Sequence, residues 1–158
     1  MLIDRESRVL ATVAHGLGLL VPVLGPMLIY VNVRKAAPSS PGKRFVAVHS
    51  MHSVIVSAFL NVTLILGITV AMYRMLDEIA VQEPELLENT EPTALLTMLI
   101  THFHAGIIIF GLYTFLHILS TLVHGYLAYH GSSVEDDWVG KIAVKYARLG
   151  AKIPTFEA

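Results

Sequence analysis

All eight histidines of this chain lie within three stretches that carry no charged side chain, residues 9–33, 45–73 and 92–134. Histidine nitrogens in an apolar setting can ligate a metal or haem iron, orient a quinone, or bond to a neighbouring helix. Because ionisable groups are costly to place in such stretches, their arrangement is the first clue to function.

Two of these stretches carry polar side chains at helical spacing. In the second stretch, His49, Ser53, Ser57 and Asn61 recur at every fourth residue, which places them on one face of a helix. In the third stretch, polar residues also gather on one face at about 100° per residue. The two faces form a predicted interhelical polar seam, whose members are His49, Ser53, Ser57, Asn61, His117, Thr121 and His124.

The seam has a predicted register if its two helices are antiparallel. That register sets His49 level with His124, Ser57 with His117, and Asn61 with Tyr113. We interpret the seam first as a means of helix association, because hydroxyl, amide and imidazole groups hydrogen-bond across membrane helices.

The same residues permit two cofactors without requiring either. His49 and His124 are suitable axial ligands for a b-type haem, since neutral imidazoles from facing helices bind iron well. A quinone pocket can be bordered by His49, Ser57, Tyr113 and His117, whose polar groups would orient a carbonyl in an apolar cleft. A bound lipid is also expected.

Other chemistry is not predicted. His104 and His130 point to the other side of the third helix, and His52 is displaced by most of a turn from His49, so these three are not expected to join a shared site. His102 and His104 are alternate residues and point to different sides. No carboxylate lies within a predicted span, which argues against a buried cation site or a serine triad, so we predict no metal site and no catalytic residue.

The elements that position these residues are membrane helices. Each charge-free stretch exceeds the roughly 20 apolar residues that cross a bilayer as a helix. The sequence therefore predicts a single all-α integral membrane domain with about three transmembrane helices. Its predicted parts are helix 9–33, basic loop 34–44, helix 45–73, acidic loop 74–94, helix 95–130 and an amphipathic tail helix 133–150.

The first stretch is interrupted by proline. Pro22 and the pair Gly25 and Pro26 break the helical hydrogen-bond ladder near its middle. Either it is one kinked crossing, which its length favours, or it is a re-entrant pair of short helices with both ends on one side. Arg5 and Arg8 favour the re-entrant form, because basic residues prefer the cytoplasmic side.

Charges predict the orientation and the tail. Basic residues crowd loop 34–44 and the tail, which should face the cytoplasm, whereas the acidic loop 74–94 should lie outside. Ser132 or Ser133 is expected to cap the tail helix, with Asp137 in its first turn. This helix is predicted to lie on the membrane surface or on a partner protein through Trp138, Ile142 and Tyr146, beside the basic Lys141, Lys145 and Arg148.

A resemblance adds a context. The run of residues 14–20, the breaks at Pro22 and Gly25–Pro26, and residues 44–52 after the basic loop resemble a family of small bacterial membrane proteins of unknown function. That family is similar in turn to the chloroplast Tic inner-envelope import channel subunit. The resemblance covers about residues 10–65 and implies a bacterial inner (plasma) membrane; a translocon-like channel role is implied only for the chloroplast branch.

These observations lead to one main expectation of function and two alternatives. We expect a non-catalytic accessory or assembly subunit of a larger membrane complex, such as an energy-converting one, in contact with lipid and other membrane subunits. The first alternative is a haem b or quinone-binding anchor of an oxidoreductase, because three helices with inner-face histidines are similar to the anchors of succinate dehydrogenase. The second is a translocon-like channel component. No basic stripe with interleaved aromatics indicates nucleic acid.

Overall fold

The computed structural model describes residues 3–82 and 92–149, and these residues form five helices without any strand. They are α1 (Arg5–Leu20), α2 (Leu24–Val33), α3 (Pro41–Gln82), α4 (Pro92–Tyr129) and α5 (Trp138–Leu149). The all-α class is therefore confirmed for the described residues.

Two of the described helices are long and apolar enough to cross a membrane. The segments are Pro41–Arg74 in α3 and Gly106–Tyr129 in α4. In the most apolar part of each, only 6% of the residues are buried within the protein. α2 is apolar but has only ten residues, too short to span a bilayer of ~30 Å.

Helix boundaries differ from the sequence expectation mainly at α3. It begins at Pro41 rather than at residue 45, because proline is favoured in the first turn, where its missing N–H is not needed. It continues to Gln82 through residues with good helix propensity, so part of the expected acidic loop is helical. The rest of that loop, residues 83–91, lies outside the described residues.

The chain divides into two compact units, and α3 and α4 contribute to both. The terminal unit comprises residues 1–60 and 117–158, as far as they are described, and the central unit comprises residues 61–116. All buried side chains of the described residues, apolar and polar, belong to the terminal unit.

The break between α1 and α2 falls at residues 21–23. Pro22 cannot donate to the α1 ladder, and Val23 adopts a positive φ of 65°, which a β-branched residue rarely does. Pro26 is accommodated because it sits in the first turn of α2.

α1 runs in the same direction as α3. The hydroxyl of Ser53 donates to the carbonyl of Ala14 over 3.2 Å, and that of Ser57 donates to the carbonyl of Gly18 over 3.3 Å. Residue numbers rise together along both helices, so the two helices are parallel neighbours.

The start of α1 lies beside the start of α3. Asp4 and Ser7 line a small cleft with Ser40 and Lys43. α2 must therefore return the chain to the side from which α1 began. The first stretch is therefore a helical hairpin formed by α1 and α2.

The end of α4 is closed by a glycine motif. Gly131 has φ 76°, and the N–H groups of Gly131 and Ser132 donate to the carbonyls of Ala128 and Leu127 over 3.0 and 2.9 Å. This is the pattern of a Schellman C-cap. It turns the chain back over the terminal unit before α5 begins.

The N-cap of α5 differs from the expectation. Asp137 caps the helix by accepting the N–H of Gly140, whereas the Ser133 hydroxyl accepts the N–H of Glu135 in a local turn. Ser132 and Ser133 are therefore not the cap. A serine hydroxyl that already accepts a nearby backbone N–H is not available to cap a helix that begins further along the chain.

Asp4 is expected to make the stability of the hairpin depend on pH. Its carboxylate accepts the backbone N–H and the hydroxyl of Ser7, each over 2.8 Å, and these bonds, the backbone bond first, lower the pKa of Asp4 below its ordinary 3.8. A lowered folded-state pKa stabilises the fold above pH 3.8, and this contribution disappears as the pH falls through the folded-state value.

Thermal melting of the detergent-solubilised chain measures this effect. Asp4→Ala should lower the melting temperature at pH 7, and the difference from wild type should shrink below about pH 4. Asp136→Ala, which changes an exposed carboxylate, is the control. A difference that stays constant across this pH range would contradict the role given to the Asp4 cap.

Candidate functional site

Four histidines from three helices meet in the terminal unit, and we call them the histidine cluster. They are His15 of α1, His49 and His52 of α3, and His124 of α4. The ring centroids of His52 and His124 are 4.4 Å apart. The ring centroid of His15 lies 5.4 to 5.8 Å from the ring centroids of the other three histidines. His15, His49 and His52 are buried, whereas His124 is partly exposed.

One side of the cluster is a chain of hydrogen bonds. His49 Nε2 lies 3.1 Å from the carbonyl oxygen of Ser132, and His49 Nδ1 lies 3.1 Å from His15 Nε2. A carbonyl only accepts, so His49 Nε2 carries a proton. In a neutral ring, His49 Nδ1 then accepts from His15 Nε2–H.

This hydrogen-bonding argues against His49 as an axial haem ligand. Both of its ring nitrogens are engaged by protein atoms, and an iron ligand needs one nitrogen free. His49 and His124 belong to the same cluster, but the nearest ring partner of His124 is His52. The register that sets His49 level with His124 therefore holds only approximately.

The other side of the cluster includes a carboxylate. Asp137 Oδ2 lies 3.3 Å from His52 Nε2 and 3.9 Å from His124 Nε2. His124 Nδ1 lies 2.8 Å from the carbonyl oxygen of Ser120 and donates to it. In a neutral ring, Nε2 then carries no proton, so its lone pair faces the carboxylate of Asp137. One ligand atom from each of His52, His124 and Asp137 lies within 4.8 Å of the others.

The expectation that His52 stands apart is wrong. It followed from a two-helix seam in which α4 faces His49, but α1 packs on the α3 face that carries Ser53 and Ser57. α4 meets the side of α3 that carries His52, and it also contacts Ser57. The carboxylate that reaches the histidines comes from outside the predicted spans, because the chain after Gly131 turns back and delivers Asp137.

The structure brings together two other pairs of the predicted seam. Ser57 Oγ lies 3.5 Å from His117 Nε2 in the terminal unit. In the central unit, the hydroxyl of Tyr113 donates to Asn61 Oδ1 over 3.3 Å. Thr121 is partly buried on α4. Two of the side chains expected to border a quinone, His117 and Tyr113, thus each contact a polar group of α3.

The remaining candidate residues lie at the surface. His104 and His130 are exposed, and His130 Nδ1 donates to the carbonyl of Tyr126 over 3.0 Å. The side chain of His102 lies outside the described residues.

Fewer side chains of α5 are buried than the helical spacing of its apolar residues predicts. Val139 and Ala143 are buried, and the carbonyl of Tyr146 accepts from the hydroxyl of Tyr30 over 3.4 Å. The side chains predicted to contact a membrane or partner are placed as follows: Trp138, Lys141, Lys145 and Tyr146 are exposed, Ile142 is partly exposed, and Arg148 lies outside the described side chains.

Sequence reasoning missed His15 and Asp137. The signal for His15 is present in α1, where Ala11, Ala14 and Gly18 form a stripe of small residues beside it, typical of close helix packing. For Asp137 the local sequence predicts only a helix terminus, and its position against His52 depends on the turn at Gly131.

No family model, curated protein or solved structure matches this chain. The resemblance to small bacterial membrane proteins therefore stays a prediction. Function is inferred below from the geometry of the chain itself.

Proposed function

We propose that this chain is an integral membrane protein in which α3 and α4 cross the bilayer and the α1–α2 hairpin enters and leaves on one side. The observation that supports it is the distribution of polarity. Four histidines and four serines are buried in the terminal unit together with apolar residues, whereas many large apolar side chains, such as Leu28 and Leu122 at 66% and 65%, are exposed. Water would disfavour such a surface, and lipid favours it.

Basic residues gather at one end of the terminal unit. They belong to the start of α1, the connection to α3, the start of α3, and α5, and are Arg5, Arg8, Arg34, Lys35, Lys43, Arg44, Lys141 and Lys145. By the positive-inside rule this end faces the cytoplasm of a bacterial inner membrane. α5 then lies at the cytoplasmic membrane surface with Trp138 and Tyr146 outward, as amphipathic interfacial helices do.

We further propose that the protein is a non-catalytic accessory or assembly subunit of a larger membrane complex. Three of its hydroxyls link helices: Ser53 and Ser57 donate to carbonyls of α1, and Thr12 lies within 3.3 Å of the carbonyl of Gly125 on α4. Such bonds hold helices together without leaving a nucleophile in an activated position.

The central unit supplies the surface for a partner. Its described residues belong to α3 and α4, and an apolar groove of about 310 Å³ on it is lined by residues that include Ala71, Met72, Phe103 and Gly106. Small residues at such a site allow a partner helix to approach closely. A transmembrane helix of another subunit is the occupant that we propose.

The test is photo-crosslinking in the native membrane. A benzophenone amino acid at Ile107, which lines the groove, should yield one discrete adduct with another membrane protein. The same group at Leu122, equally exposed but in the terminal unit, is the matched control and should yield lipid adducts only. Lipid adducts alone at both positions would contradict the subunit role.

We do not propose the haem anchor or the translocon-like channel. The nitrogens of His49 are already engaged, and the hydroxyls of Ser53 and Ser57 bond to the backbone of α1. A reduced-minus-oxidised visible spectrum of the purified chain should accordingly be featureless.

A further inference from the structure

We propose that His52, His124 and Asp137 form a binding site for a divalent transition-metal ion of the Zn²⁺ type. The inference is independent of the proposed subunit role. It uses the part of the histidine cluster that helix packing does not explain.

The donor set and its geometry fit such an ion. Two imidazole nitrogens and one carboxylate oxygen lie within 4.8 Å of one another, and small closing movements bring such atoms to a common ion at the 2.0 to 2.2 Å typical of zinc. Three protein ligands with one open position are common at zinc sites that also bind water or substrate.

The groups behind the ligands orient them for metal binding. His124 Nδ1 donates to the backbone carbonyl of Ser120, which directs the Nε2 lone pair to the site. Asp137 uses Oδ1 to cap α5 and keeps Oδ2 for the two histidines. Backbone contacts of this type fix the tautomer and the ring position of metal ligands.

His52 contributes its Nε2 atom to the site. That nitrogen lies 3.3 Å from Asp137 Oδ2, and the side chain is only 1% exposed. The Nδ1 atom on the opposite edge of the ring has no hydrogen-bond partner among the described residues, and it is Nε2 that would bind the ion. A simple hydrogen bond between His52 and Asp137 does not account for His124, whose Nε2 lone pair also points toward the Asp137 carboxylate.

The site is accessible from one side. The Asp137 side chain is 42% exposed and that of His124 is 21% exposed, whereas His52 forms the floor. The opening lies where α5 begins, at the basic end of the terminal unit, so an ion can enter from the aqueous phase on that side.

Metal titration of the tag-free, chelator-treated chain in detergent tests the proposal. Co²⁺ serves as the spectroscopic probe and Zn²⁺ as the competitor, and the wild type should bind one equivalent. Asp137→Asn should weaken Zn²⁺ binding at least tenfold, because the amide retains the helix cap but removes the charged ligand. His124→Gln should weaken it to a similar or greater extent.

Matched controls separate the site from general effects. Asp136→Asn changes the neighbouring carboxylate, and His130→Gln changes an exposed histidine near the end of the same segment; both should bind Zn²⁺ like the wild type. The proposal is overturned if the wild type shows no stoichiometric binding. It is equally overturned if the Asp137 and His124 variants bind as tightly as the two controls.

Discussion

Replacing Gly140 with alanine is expected to dislodge the turn that carries Asp137. A Cβ atom at Gly140 would overlap the carbonyl oxygen of Val134 and come within 2.6 Å of its carbonyl carbon, and backbone atoms cannot rotate away. Alanine gains about 1 kcal/mol in helix propensity, but we expect a net loss at or above the upper end of the 1–3 kcal/mol typical of overpacking.

Two measurements follow the Gly140→Ala variant. Its thermal midpoint in detergent should fall, and its Zn²⁺ affinity should fall with it, because Asp137 leaves the histidines. Gly111→Ala is the control, since nothing lies within 4 Å of a Cβ atom there. A Gly140 variant as stable as the Gly111 variant would show that the turn does not pack on α5 as described.

Replacing Gly18 with leucine is expected to separate α1 from α3. A Cβ atom at Gly18 would overlap Ser53 Oγ and lie 3.1 Å from Ser57 Oγ, so a larger side chain cannot be accommodated without moving α1. That movement would break both hydroxyl-to-carbonyl bonds that hold the hairpin. The cost should again reach the upper part of the roughly 1–3 kcal/mol range.

Gly16 offers a matched control two residues away. A Cβ atom at Gly16 meets nothing within 4 Å, so Gly16→Leu adds the same side chain to the same helix at a position with open space at the Cβ atom. Because the chain contains no native cysteine, Ala14→Cys with Ser53→Cys can report helix contact by oxidative cross-linking. Efficient cross-linking in the Gly18→Leu background, equal to that with Gly16→Leu, would contradict the proposed packing.

Much of the fold could be predicted because the formation of the long helices depends on neighbouring residues in the sequence. Charge-free stretches of sufficient length predict α3 and α4, and Pro22 predicts the break in the first stretch. The choice between crossing and hairpin could not be made from the sequence, since length favoured one and Arg5 and Arg8 favoured the other. Contacts of Ser53 and Ser57 with the α1 backbone show a helical hairpin, and they support the re-entrant alternative that we propose.

The candidate site could be predicted only in part because it depends on tertiary placement. Periodicity identifies His49 and Ser57 as members of one face, but a face does not reveal which neighbouring helix covers it. Once α1 occupies that face, His52 becomes the residue that meets His124. Asp137 reaches the cluster because the chain turns at Gly131. A helical sequence pattern does not indicate where such a turn places a residue six positions later.

Topology labelling tests the proposal that α3 and α4 cross the membrane while the hairpin does not. Single cysteines at Arg5, Ala36, Asp77 and Asp136, all exposed positions, can be labelled with an impermeant maleimide in sealed vesicles of known orientation. Positions 5, 36 and 136 should react from one side and position 77 from the other. Labelling of position 5 from the same side as position 77 would contradict the proposal.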